Sequence, residues 1–144
     1  MASKTTIENP TALTDYLDRL ETVASESVLR QAAVAGARVI HAEVQLRAPI
    51  GNAYERKGTK HLPGTLKRSI LIAYDREESV AGRIAVYLVT WSKEAFYGRF
   101  VELGTSHAAA DPFLRPGYEA KKKQAATAMI EVIQSKAQEA ANGR

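Results

Sequence analysis

From Leu13 to Leu46, small or apolar residues recur at steps of three or four: Leu13, Leu17, Leu20, Ala24, Val28, Ala32, Ala35, Val39, Ala42 and Leu46. That spacing returns each of them to one face of a helix, so nearly a quarter of the chain is committed to a long amphipathic helical region whose apolar stripe must be covered. Asn9 followed by Pro10 opens it well, because the Asn side chain can accept an orphan N–H and proline is tolerated in the first turn. Ser25 and Ser27 interrupt it with polar groups that compete for the backbone, so the reading is two helices and not one. Ala48 precedes Pro49, which disfavours the helical conformation just before it, and the region ends there.

The cover has to come from further along. "ILIAYDRE" and "RIAVYLVTW" are rich in β-branched and aromatic residues and are separated by "ESVAG", which reads as an antiparallel hairpin. Ile84, Val86 and Leu88 alternate with Ala85, Tyr87 and Val89, so both faces of the second strand are largely apolar. A helix covers one face, and the other calls for something else, such as a second subunit. "EAFYGRFVEL" puts Phe96, Phe100 and Leu103 on one helical face, with Gly104 where a left-handed cap would fall. A last helix is expected from Pro116 to about Ala141, with Ala125, Met129, Val132 and Ile133 facing inwards. The fold class is α+β: a small antiparallel β-sheet packed against a long N-terminal helix, with a C-terminal helix. With 144 residues, 45% of them hydrophobic, the chain supports one core, and residues 1–144 are read as a single domain.

Residues 50–64, "IGNAYERKGTKHLPG", contain three glycines, a proline and five charged or histidine residues with no hydrophobic period. They read as a flexible loop of the kind that engages partners, with Tyr54, Arg56, Lys57, Lys60 and His61 as the candidate contact residues. Thr65–Ser69 reads as a short turn. The formal charge of +4 is small beside 20 basic and 16 acidic side chains. Arg56, Lys57 and Lys60, then Lys67 and Arg68, could meet phosphates, but no aromatic residues are interleaved with them to stack bases.

Catalytic chemistry has little to stand on. There is no cysteine, which removes disulfides, thiolate metal sites and thiol nucleophiles. His41, His61 and His107 are scattered, and His41 and Glu43, two residues apart, point to different helix faces. A Thr105 or Ser106 nucleophile served by His107 and Asp111 lacks any nucleophile elbow or oxyanion signature. Neither phosphate-binding glycine motif is present. The expectation is no catalytic, cofactor or metal site and no small-molecule substrate. No apolar run approaches the roughly 20 residues of a membrane span, and the start lacks a secretory apolar centre, so a soluble, non-membrane protein is expected.

"YGRFVELGTSHAAADPFLRPGYEA" then reads as construction. Glu102, at the end of a short helix, could accept hydrogen bonds from the N–H groups of Gly104 to Ser106 and hold a chain reversal. Asp111 and Pro112 start an extended segment anchored by Phe113 and Leu114, which leads into the last helix.

These same residues carry a resemblance. "YGRFVELGTS" followed by "DPFLRPGYEA", with "RVIHAEVQLRAPIG" and "PGTLKRSI" upstream, resembles the signature of small neck proteins of long-tailed double-stranded DNA bacteriophages, described as tail completion, head-tail joining or minor tail proteins. The resemblance spans about residues 11–135; residues 52–62 intervene where the family's elements are usually close together, and the family's Thr-Gly order appears as Gly64–Thr65. It implies a structural virion protein at the head–tail junction, made in the bacterial host's cytoplasm and forming a ring, commonly a hexamer, around the DNA path. Its partners would be further copies of itself, adjacent neck or tail-tube proteins and DNA in the channel. Glu102, Gly104, Thr105, Pro112 and Phe113 are carried over as motif residues that shape the corner, and no catalytic residue comes with them. A tail terminator or head-closure layer of the same neck, and a nonspecific DNA-binding module, are the alternative readings.

Overall fold

The computed structural model describes residues 10–23, 25–51, 54–56 and 58–142. The helical region is divided as the serines suggest. Helix α1 (Pro10–Val23) is followed by α2 (Glu26–Arg47), and Ser25 caps α2 by accepting the Val28 N–H on its hydroxyl at 3.4 Å. Ala48, in extended conformation before Pro49, closes α2. Asn9 and Ala24 lie outside the described residues.

Two short elements replace expected loops. Within 50–64, β1 (Tyr54–Arg56) pairs antiparallel with β2 (Thr59–His61), so this segment is a small hairpin arm and not a structureless loop. Gly58, in the connection, has φ +76°, a conformation that a side chain resists, and this is the signal in "RKGTK" for a tight turn. Residues Thr65–Ser69 form a helical turn, α3, in place of the expected plain turn. Leu66 is buried from it into the core, which stabilises the helical form of so short a piece.

The main sheet is the expected hairpin, β3 (Ile70–Val80) against β4 (Ile84–Trp91). Register places Ile70 opposite Trp91, Ile72 opposite Val89 and Tyr74 opposite Tyr87, so these six share the face that lies on α2. Past Asp75 the register shifts. Asp75 turns its carboxylate onto the N–H groups of Glu77 and Glu78, and Ser79 bridges the strands by donating to the Asp75 carbonyl while accepting the Val86 N–H. A 3-10 turn at Lys93–Ala95, a short α4 (Gly98–Leu103) and the long α5 (Leu114–Ala141) complete the chain. The class is therefore α+β, with the sheet packed on α2, the second of the two N-terminal helices.

Helices α2 and α5 run antiparallel and make the most extensive contact between elements among the described residues: Gly117 meets Val44, and Gly36 meets Ala125 and Met129. This corrects the phase of the expected stripe. From Ala35 onward the buried line runs through Gly36, Ala37, Val44 and Ala48, while Ala42 and Leu46 are exposed. The expected stripe runs through Ala35 and not Gly36, although glycine is what lets two backbones approach. Likewise Met129 and Ile133, expected inside, are more than a third exposed, and α5 begins at Leu114, two residues before Pro116.

The two α2–α5 glycines are not equivalent. A Cβ on Gly117 would stand 2.7 Å from Val44 Cγ2 and 3.3 Å from the Val44 backbone, whereas one on Gly36 would meet mainly the flexible end of Met129. Gly117→Ala is expected to lower stability by about 2 kcal/mol by overpacking. Gly36→Ala is expected to be within about 1 kcal/mol of the parent protein, because Met129 can swing away and alanine favours the helix. Urea unfolding followed by circular dichroism ranks them; equal losses would contradict this packing.

Candidate functional site

The core lies where the end of α2, α3, the base of the hairpin and the residues after α4 meet: Val44, Ala48, Leu66, Ile70, Ala95 and Phe113. Phe113 has no exposed surface, and its ring lies 6.0 Å from that of Trp91 at 50°. Trp91 in turn abuts Gly98, where a Cβ would come within 2.8 Å of the indole. The Trp91–Gly98 contact was not readable in advance, because the reason for that glycine lies in a side chain packed against it across the fold.

From this core the corner between α4 and α5 is built. Glu102 accepts the N–H groups of Phe113 and Leu114 on Oε2 at 2.8 and 2.9 Å, and that of Arg115 on Oε1 at 2.9 Å. The accounting at this helix start is complete: those are the first three orphan donors of α5, and the fourth position is Pro116, which has none. Phe113 offers no side-chain cap of its own, so a carboxylate 11 residues earlier does the capping and adds a negative charge at the positive end of the helix. The expected partner of Glu102, the Gly104–Ser106 turn, is held by Thr105 instead. Its hydroxyl accepts the His107 and Ala108 N–H groups at 3.2 and 3.1 Å, and its N–H bonds the Ala108 carbonyl at 2.8 Å. Asp111 N–H bonds the Val101 carbonyl at 2.8 Å, which lays the returning chain beside α4 and within reach of Glu102.

Gly104 caps α4 through its N–H to the Phe100 carbonyl at 2.8 Å. Its φ of +74° is combined with ψ of 173°, a positive-φ region open essentially to glycine alone, and not the expected left-handed helical cap. A Cβ there would also stand 2.7 Å from the Ala110 nitrogen. Only glycine suits both constraints. Pro112 is exposed and leads directly into buried Phe113. All five motif residues thus sit in one corner.

The other candidates are dispersed. His41 places Nε2 2.8 Å from the Ile70 carbonyl, tying α2 to β3, while Glu43 pairs with Arg47 at 2.7 Å. Thr105, a candidate nucleophile, has its oxygen turned onto backbone N–H groups. Among the described residues no group of three or more His, Asp or Glu converges as metal ligands would, and no helix is long and apolar enough to cross a membrane. On the arm, Tyr54 stands opposite His61 in the register, with Arg56 on β1 and Lys60 on β2; Lys57 lies outside the described residues. Lys60 and Arg68 line one hollow of about 660 Å³ together with Leu62 and Leu71.

Two apolar surfaces stand open beside the corner. Phe96, Phe100 and Leu103 are 60%, 50% and 68% exposed, at positions i, i+4 and i+7. Phe100 borders a groove of about 390 Å³ together with Ile50 and Leu62, which are also mostly exposed. On the other side, a trench of about 560 Å³ lies between β4 and α5. It is lined by Gly36, Ala37 and Ile40 of α2, Leu88 of β4, and Tyr118 and Met129 of α5. β4 has no strand paired along that edge among the described residues.

A family model described as "Bacteriophage HK97-gp10, putative tail-component" matches residues 11–104, which take in everything from α1 to the end of α4. Comparison with curated proteins and with solved structures returned no match.

Proposed function

Because the chain belongs to the HK97-gp10-like family of bacteriophage tail components, we propose that it is a ring-forming structural protein of the phage neck, completing the tail or joining it to the head. The observation that carries this reading is the uncovered apolar surface. Ile50, Leu62 and Phe100 stand at least half exposed around one groove, with Phe96 and Leu103 exposed beside Phe100, and large apolar side chains left in water in this way suit burial against a protein partner. The role is structural and not catalytic: the most strongly built feature, the Glu102 corner, spends its polar groups on its own backbone. In a ring around the DNA path, a sixfold one on this reading, Lys60 and Arg68, which share one hollow, are the residues to meet phosphates, and any such contact would weaken steeply with salt.

The test is electron microscopy of lysates from a phage or prophage with a stop codon in this gene. Filled heads beside separate tails of normal length are expected. Overlong tails would move the assignment to a terminator layer, and intact particles would overturn the neck reading.

A further inference from the structure

A guanidinium recognises phosphate best when it is held flat and keeps N–H groups free of competing carboxylates. We infer that the outer face of α2, at Arg30 and Arg38, is a binding site for the phosphates of a nucleic-acid backbone. The site is separate from the Lys60–Arg68 hollow. Gln45, which donates to the Lys67 carbonyl at 3.4 Å, lies on the order of 22 Å along α2 from Arg30. The inference rests on the DNA contact of the reading above, which it extends to a second place, and does not need the ring.

Arg30 is fixed before any ligand arrives. Its guanidinium lies over the Tyr74 ring at 4.2 Å, and Glu26, one turn earlier, holds Nη2 at 2.6 Å. Its Nε is buried, which closes that edge to solvent, while the side chain as a whole is 42% exposed and keeps N–H groups for a ligand. The side-chain order that binding demands is therefore largely in place. Arg38, two turns on, is exposed and forms no ion pair among the described residues. Both line one hollow of about 450 Å³ with Gln31, Val34, Tyr87 and Val132, and no Asp or Glu stands among its lining residues. Their Cα atoms are about 12 Å apart along the helix axis, and Glu26 draws Arg30 away from Arg38, so the two charges are presented apart. A chain of phosphates, one per roughly 3.4 Å of axis on each strand, meets both cations where a single carboxylate meets one.

The probes are a short mixed-sequence DNA duplex and inorganic phosphate, each titrated into the full chain while backbone amide NMR signals are followed. At low salt the duplex is expected to shift the amides of Gln31, Val34 and Arg38. Arg38→Ala is expected to weaken duplex binding about fivefold and to lower the slope of log affinity on log salt by about one. With no ion pair to lose, this variant should fold as the parent protein does. Arg30→Lys keeps the charge but gives up the flat stack, and is expected to weaken binding about threefold. Duplex binding that Arg38→Ala leaves unchanged would overturn this site and leave Lys60 and Arg68 as the contact. Shifts with inorganic phosphate alone would overturn the nucleic acid as the source, and shifts with polyglutamate alone would replace phosphate with an acidic protein partner. A duplex that binds nowhere on the chain would remove the DNA contact of the reading above as well.

Discussion

Glu102→Ala is expected to lower folding stability by about 3 kcal/mol, well above an ordinary helix-cap loss of about 1 kcal/mol. Three backbone donors converge on this carboxylate, and each would lose its acceptor at once. Phe113 is buried, so its N–H in particular would not regain a full water bond on loss of the cap. The charge matters as well as the shape. Glu102→Gln keeps the length but must turn an NH₂ group towards N–H donors on one side and loses the attraction to the positive end of α5, so about half the loss is expected. Urea unfolding gives both values, and amide hydrogen exchange localises them: Phe113, Leu114 and Arg115 should exchange faster in Glu102→Gln while α2 is unchanged. Stability within about 0.5 kcal/mol of the parent protein for Glu102→Ala would mean that the carboxylate does not cap α5 in solution.

The sequence made some of this legible, and its failures have one cause. The division at Ser25, the stop at Ala48–Pro49 and the β3–β4 hairpin were readable because each is specified within a few residues, by capping chemistry, by proline sterics and by alternation of β-branched side chains. At the corner, the sequence points Glu102 to the turn that follows it, whereas the fold gives it Phe113, Leu114 and Arg115. Local spacing favours a carboxylate serving the next turn, and only the fold brings Phe113–Arg115 back beside α4. The same limit applies to Gly36, Gly98 and Gly117, whose reason is a helix or an indole approaching from elsewhere in the chain. The period of Phe96, Phe100 and Leu103 puts them on one helical face, but periodicity does not say whether that face meets the core or a partner. Here Ala95 and Gly98 face the core, and the large residues are left outside.

Phe113→Ala is expected to be the most damaging single truncation, at about 4 kcal/mol, because it removes a fully buried ring and leaves a cavity bounded by rigid neighbours. Val44, on α2, is locked against Gly117 and cannot move in, and Trp91 loses its tilted ring partner, which is itself worth about 1 kcal/mol. Against the 5–15 kcal/mol of a domain this size, the variant should be folded but marginal. Phe113→Leu refills most of the volume and should lose about half as much. Trp91 is the single tryptophan, so its emission reports the site directly: a shift to longer wavelength is expected in folded Phe113→Ala and little or none in Phe113→Leu. Unchanged emission together with unchanged stability in Phe113→Ala would mean that the ring is not the keystone of the core.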